Sequence, residues 1–407
     1  MKTYLLNIIS VLTAFCISSG VICAHAPEEA VAAFVHSPSV DSAKVAVMVR
    51  DLGSGNVVAS YNEDVPLVPA SIQKAVTTAT LLRTAGKDWA YHTKAYVDGD
   101  VERGVLEGNV VVVGSGDPTL NSSKLPLTPD FVADVASALR TKGIDSIAGK
   151  IRVDGSVFKG PAVPPSWASG DLRYAYGTGC HGFNFQNNAS GKSSVSDPAA
   201  VFVSKLKAAL AGMGIRIGGN GLDSGRRRLV FDHRSAPLDE IMRSCMMRSD
   251  NLYAEALMRT IPLSVGKEST PEKAAEIEYD FWKRKRADTD GVKIVDGSGL
   301  SRSNRTTASF MADVLEEMGG DAYYASFFPL AGREGTLKRF LCGTHLEEYV
   351  ALKTGSMSGI QCYAGYKLDD DYVPTHSIVI IINGMKGGRG AVRSEVEKML
   401  LSIFPEP

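Results

Sequence analysis

The chain has 407 residues, 44% of them hydrophobic and 22% charged, an ordinary globular composition with length for two or three domains. Its net charge of −1 excludes a general basic field for nucleic acid, and the local runs Arg226–Arg228 and Lys283–Arg286 read as solvated surface. Seven scattered histidines, without H-E-x-x-H or other close ligand spacing, argue against a zinc enzyme.

At the N-terminus, Lys2 precedes the apolar run "YLLNIISVLTAFCISSGVICAHA", which has the form of a secretory signal peptide over residues 1–26. Cleavage after Ala26 or after Ala24 fits the small-residue end. The polar residues Asn7, Ser10, Thr13, Ser18 and Ser19 argue against a permanent anchor, and Cys16 and Cys23 lack the small residues a lipoprotein site needs. No later stretch is long and apolar enough to span a membrane. Export is expected, to the periplasm or the outer face of the cell envelope. It would leave Cys180, Cys245, Cys342 and Cys362, for which three disulfide pairings exist. Cys245 on a helical stripe and Cys362 on an alternating strand read as buried thiols.

Residues 44–64, "KVAVMVRDLGSGNVVASYNED", predict a hairpin around Gly53-Ser54-Gly55. "PASIQKAVTTATLLRTAG" predicts a helix ending at Gly86, with Ser71 and Lys74 on one face near its start. From about Tyr91 the texture becomes that of a separate α/β module. β-rich runs such as "VLEGNVVVVGSGDPTL" alternate with helices begun by Thr128-Pro129 and Asp197-Pro198. From about Leu229 a helical half begins, with Leu238, Ile241, Met242 and Cys245 on one stripe. "EYVALKTG", "IQCYAGYKL" and "HSIVIIING" predict three antiparallel strands, and "AVRSEVEKMLLSIF" a last helix. Strands at both ends with helices between imply one sheet closed by the N- and C-terminal segments.

A Ser beside a Lys that can shed its proton is one way to make a nucleophile. The pattern is cheap, since S-x-x-K recurs at Ser156–Lys159, Ser204–Lys207 and Ser264–Lys267. Two further motifs join it in order. They are Ser249-Asp250-Asn251, in "MMRSDNLYAEALMR", and Lys353-Thr354-Gly355, which occurs once and ends the strand "EEYVALKTG". The three together are the mark of penicillin-recognising acyl-serine enzymes.

With "VDGSGLSRSNRTT", "FPLAGREGTLKR" and "ALKTGSMSGIQCYAGY", the chain resembles class C low-molecular-mass penicillin-binding proteins, the D-Ala-D-Ala carboxypeptidase/endopeptidases, over most of residues 40 to 400. The resemblance implies an α+β fold of the penicillin-binding/β-lactamase-like transpeptidase type, with an antiparallel sheet flanked by helices. It divides the chain into a discontinuous catalytic domain, 27–91 and 229–407, and an inserted α/β domain, 92–228. Ser71 and Ser249 are only 178 residues apart, so the further domain nested in the insert of the best-known relatives is expected to be absent or vestigial.

The resemblance also implies roles. Ser71 would attack the carbonyl of the penultimate D-Ala and Lys74 would take its proton, its pKa depressed by burial and by Lys353. Backbone N–H groups of Ser71 and Ser356, the latter just after Gly355, would hold the oxyanion. Ser249 would relay a proton to the leaving amine, and Asn251 would bond the substrate amide and Lys74. Lys353 would supply positive field, and Thr354 a hydroxyl for the terminal carboxylate. Arg302 and Asp154 resemble positions that meet the carboxylate and ammonium of the peptide's diamino acid, while Asp117 reads as a turn residue beside Pro118. No cofactor and no metal are expected. The implied partners are peptidoglycan stem peptides and, as covalent inhibitors, β-lactams, with peripheral membrane association allowed for and no nucleic acid. A serine β-lactamase and a non-enzymatic wall-binding scaffold of the same fold are the alternatives.

Overall fold

The structure, a computed structural model, describes residues 22–406 apart from 127, 222 and 321. Most of the expected signal segment, 1–21, therefore lies outside the described residues. Helix α1, Ile22–Val35, runs through both candidate cleavage points, and its Val31, Phe34 and Val35 are buried.

Two sheets organise the chain. The first is antiparallel throughout. Its strands are β1, Val45–Asp51, and β2, Val57–Tyr61, with three from the C-terminal part: Val350–Met357, Ile360–Leu368 and Pro374–Ile382. The second contains β3, His92–Glu102, β4, Val105–Val113, β5, Ile151–Asp154, and β6, Arg227–Arg234. Numbered in chain order, the three C-terminal strands are β7, β8 and β9, and the first sheet runs β7-β8-β9-β1-β2. In the second sheet β6, β3 and β4 are antiparallel neighbours and β5 joins β4 in parallel.

β1 and β9 are nearly continuous apolar runs because both faces of their sheet are covered. Ala46, Met48, Val379 and Ile381 face one core. That core is filled by helices α2, Gln73–Ala85, α5, Leu238–Arg248, α6, Asn251–Ser264, and α8, Ala308–Gly319. Here α3 is Phe131–Thr141, α4 Pro198–Gly212 and α7 Pro271–Arg284. The intervening residues Val45, Val47, Val49, Ile378, Ile380 and Ile382 face the other core, against α1 and the last helix, α9, Arg389–Ile403. A third core holds Phe131, Phe183, Phe185 and Phe202, where α3 and α4 pack on the second sheet.

Three expectations change. The helical half does not begin at Leu229: residues 227–234 are β6, paired with β3, so the chain leaves the second sheet only after Arg234. Ser71 is not in the α-helix but in the 3-10 turn Ala70–Ile72 that leads into it. Lys353-Thr354-Gly355 does not end its strand, because pairing with β8 continues to Met357. The stop at Gly86 and the Asp197-Pro198 start fare as expected. Asp130 and Asp197 cap α3 and α4 through their side chains, and α2 stops at Gly86, whose φ of 75° suits glycine. Cys180, Cys245, Cys342 and Cys362 are free, so none of the three pairings forms. Burial of Cys180, Cys245 and Cys362 pushes their thiols up to about 12.

α7 braces the helix that carries Lys74. Its buried Glu278 accepts bonds from Gln73 Nε2, at 3.2 Å, and Thr77 Oγ1, at 3.3 Å. Burial pushes this carboxyl up to about 8. Folding therefore favours the neutral form. The stability it contributes is present below the ordinary carboxylate range and is lost as pH rises through about 8. Glu278→Gln keeps the shape without the ionisation. Its melting temperature relative to the parent protein should climb between about pH 5 and about pH 9; a difference that stays flat over that span would reject the assignment.

Candidate active site

Three segments meet where α2, the α5–α6 junction and β7 converge. Ala70 adopts a left-handed φ of 47°, which turns the chain sharply into the 3-10 turn that presents Ser71. Lys74, in the first turn of α2, is fully buried. Its Nζ lies 2.9 Å from Ser71 Oγ, 2.7 Å from Asn251 Oδ1 and 2.6 Å from Ser298 O. Two of these neighbours are carbonyl oxygens, which can only accept. A neutral amine has two N–H groups and one lone pair, so with both N–H groups spent on the carbonyls the lone pair is left facing the Ser71 hydroxyl.

Ser249-Asp250-Asn251 fills the break between two helices. Ser249, at φ 56°, ends α5, and Asp250 caps α6 by accepting from Tyr253 N at 3.0 Å. Lys124, from the insert, forms an ion pair with Asp250. Asn251 is held from both sides, since its Nδ2 also donates to Tyr176 O at 2.8 Å. Ser249 Oγ accepts from Lys353 Nζ at 2.9 Å, so the second and third motifs join directly.

Lys353 is fully buried on β7 and also donates to Thr354 O at 2.6 Å. A Cβ on Gly355 would lie 2.8 Å from Pro69 O and 3.0 Å from Ser71 N, so glycine lets this strand approach the Ser71 turn. Thr354 Oγ1 and Thr336 Oγ1 are 2.8 Å apart, and Ser356 Oγ donates to Gln361 Oε1 at 2.9 Å. Ser71, Ser249, Thr354 and Ser356 line one cleft of about 410 Å³.

Burial holds the Lys74 amine below its ordinary range against the pull of Cys245, Asp296, Glu255 and Asp250. Lys353 falls well below its own range through burial and then the charge of Lys74. The repulsion between the two lysines is mutual, and burial comes first for both. Glu255, whose Oε1 accepts from Ser298 N at 2.8 Å, is pushed up to about 7 by burial and by Asp296. Asp296 itself accepts from Gly299 N, Asn304 Nδ2, Ser301 N and Trp167 Nε1 at 2.6–2.8 Å. This carboxylate folds "VDGSGLS" into the loop that delivers Ser298 O to Lys74. Sequence reasoning quoted that stretch but missed Ser298, Asp296 and Glu255, along with Tyr176 and the cleft-lining Arg389 and Arg393. Only the acidic residue inside a Gly-Ser loop hinted at the first group.

Arg302 lies at the edge of this assembly, its Nη2 donating to Ser358 O at 3.0 Å, just past β7. Asp154 ends β5 in the second sheet and accepts from Ser156 N at 3.0 Å. Bonds from Ser156 keep it ionised below the usual carboxylate range. None of its described contacts reaches the three motifs. Asp117 is a turn residue, bonded by Thr119 N at 2.7 Å and Thr119 Oγ1 at 2.6 Å, and is buried 3.7 Å from His233. Among the described residues no cluster of three or more His, Cys, Asp or Glu could hold a metal ion.

A serine and a lysine three apart, locked to S-D-N and K-T-G beside an antiparallel sheet, define a penicillin-binding acyl-serine fold. The sequence matches the D-Ala-D-Ala carboxypeptidase 3 (S13) family over residues 28–191 and 184–400, and the chain belongs to that family. It is a serine-type D-alanyl-D-alanine carboxypeptidase. The chain is similar to carboxypeptidase DacB of Mycolicibacterium smegmatis, with 29% identity over 343 residues, 79% of this chain and 72% of that one. It is also similar to the D-alanyl-D-alanine carboxypeptidase of an Actinomadura species, with 25% identity over 424 residues, 83% of this chain and 78% of that one. Penicillin binding protein 4 (dacB) of Haemophilus influenzae has the same fold, with a TM-score of 0.77 at 21% identity, covering 88% of this chain and 95% of that one.

Proposed function

We propose that the chain cleaves the terminal D-alanine of peptidoglycan stem peptides through an acyl-enzyme on Ser71. The observation that carries this reading is the setting of Lys74 Nζ, 2.9 Å from Ser71 Oγ and turned toward two carbonyl acceptors. Lys74 takes the Ser71 proton as the hydroxyl attacks. The N–H groups of Ser71 and Ser356 stabilise the oxyanion. Ser249, held by Lys353, passes a proton to the leaving amine, and Asn251 orients the substrate amide. Lys353 adds positive field at the cleft floor, and Thr354 and Ser356 face the end of the peptide. Water then releases the acyl group. β-Lactams enter by the same attack and stay bound; the Haemophilus influenzae protein has been solved complexed with a β-lactam. Labelling with a fluorescent penicillin, followed by peptide mapping, tests the reading: the label belongs on the Ser71 peptide, and a chain that takes none would be a binding module. Rapid hydrolysis of the bound penicillin would instead favour a β-lactamase.

The division into a catalytic domain, 27–91 with about 235–407, and an insert, about 92–234, is part of this proposal. The separate second sheet and its phenylalanine core support it. The nested third domain is absent or vestigial, since residues 155–196 contain only 3-10 turns and a two-residue hairpin. Export to the periplasm or the outer face of the envelope follows from the N-terminal run and the substrate. Among the described residues no helix is long and apolar enough to cross a membrane.

Arg302 and Asp154 are assigned to the stem's diamino acid, Arg302 to its carboxylate and Asp154 to its ammonium. Asp154→Ala should weaken cleavage of long stem peptides by about 1–3 kcal/mol, the scale of a lost charged hydrogen bond, and leave penicillin acylation nearly unchanged. Parallel losses in both assays would mean a folding role, and no loss in either would remove Asp154 from the substrate.

A further inference from the structure

A peptide ending in D-alanine carries a free carboxylate, and the cleft that receives it needs a dependable positive charge. The two motif lysines act from beneath it, Lys353 through its field and Lys74 as the base. Both are fully buried, and their N–H groups are committed, Lys353 to Ser249 Oγ and Thr354 O, Lys74 to Asn251 Oδ1 and Ser298 O. Burial also draws both amines below their ordinary range.

A different cation borders the same space. Helix α9 begins in the cleft wall, where Arg389 and Arg393 line the cavity shared by Ser71, Thr354 and Ser356. Arg389 is exposed, and its Nη2 donates to Met357 O over 3.4 Å, at the end of the K-T-G strand. It forms no ion pair with a carboxylate among the described residues, whereas Arg393, one turn on, is drawn to Glu397 at 3.8 Å. A guanidinium keeps its charge at every working pH, and its planar fork matches a carboxylate in a two-pronged pair.

We infer that Arg389 binds the C-terminal carboxylate of the substrate, together with the hydroxyls of Thr354 and Ser356. The inference rests on the reading of Ser71 and its cleft given above. Arg389 makes this contact from outside the three motifs, from a helix far along the chain. It is a substrate-binding residue and takes no part in proton transfer.

The test compares two N-acyl-D-alanyl thiolesters, one whose leaving group ends in a carboxylate and one in which that group is a carboxamide. The quantity read is the ratio of their kcat/KM values, which is insensitive to a loss of folded enzyme. The wild-type chain should prefer the carboxylate. Arg389→Gln should lower the ratio by about 10- to 100-fold, mostly through KM for the carboxylate. Arg389→Lys should recover part of it. A ratio unchanged in Arg389→Gln, with the wild type active and selective, overturns the inference and leaves the Ser71 reading standing. A wild-type chain that turns over neither compound, and is not acylated by penicillin, rejects the Ser71 reading and the inference with it.

Discussion

Ser71→Ala is expected to abolish covalent labelling by penicillin and to lower carboxypeptidase turnover by roughly 10⁴- to 10⁶-fold, the scale seen when the nucleophile of an acyl-serine enzyme is removed. The exchange deletes one oxygen from a partly exposed position, so the fold should tolerate it. Every other part of the site survives: Lys74 keeps its bonds to Asn251 and Ser298, and Lys353 keeps Ser249. The variant should still bind penicillin and stem peptides reversibly. Intact-mass measurement of wild-type protein treated with penicillin should show one acyl group per chain, and digestion should place it on the peptide containing Ser71. An adduct on another residue, or a variant that labels at the wild-type rate, would falsify the assignment.

Lys74→Ala should slow acylation by about 10²- to 10⁴-fold, the range for loss of a positioned base. A second consequence concerns pH. A base must be neutral to accept the Ser71 proton, and burial draws the Lys74 amine below its ordinary range. The acylation rate of the wild type should therefore rise with pH over a limb that lies below the titration of an ordinary lysine, near pH 10.4. The limb falls on the acid side, where the protonated amine cannot accept. Lys74→Ala should lose it. Stopped-flow acylation across pH tests both claims: near-normal rates in the variant, or an unchanged limb, would move the base elsewhere, with Glu255 the next group to try.

The elements were largely legible in the sequence. The hairpin of β1 and β2, the stop at Gly86, the Asp197-Pro198 start of α4, and the buried stripe of α5 all depend on neighbours a few residues away. Such rules are local and survive in any tertiary setting. The boundary at Leu229 was misread because β6 shows no clean alternation. It lies against β3 with Arg227, Arg228 and Leu229 exposed, so its pattern carries little signal.

The three motifs were also legible, and so were their residue types, because acyl transfer demands a nucleophile, a base and an acid of particular chemistry. What the sequence by itself determined is this inventory of groups and the local geometry that sets Ser71 and Lys74 on one face. Only the tertiary structure decided what completes them. Ser298 O meets Lys74 across 224 residues of chain, and Tyr176 O meets Asn251 across 75. Arg389 reaches the cleft only because α9 packs beside the end of β7. A backbone carbonyl is present at every residue, and surface arginines are common, so no spacing rule marks the ones that matter. Their roles arise from where the sheets and helices close on one another, and from the burial that weakens an amine's hold on its proton.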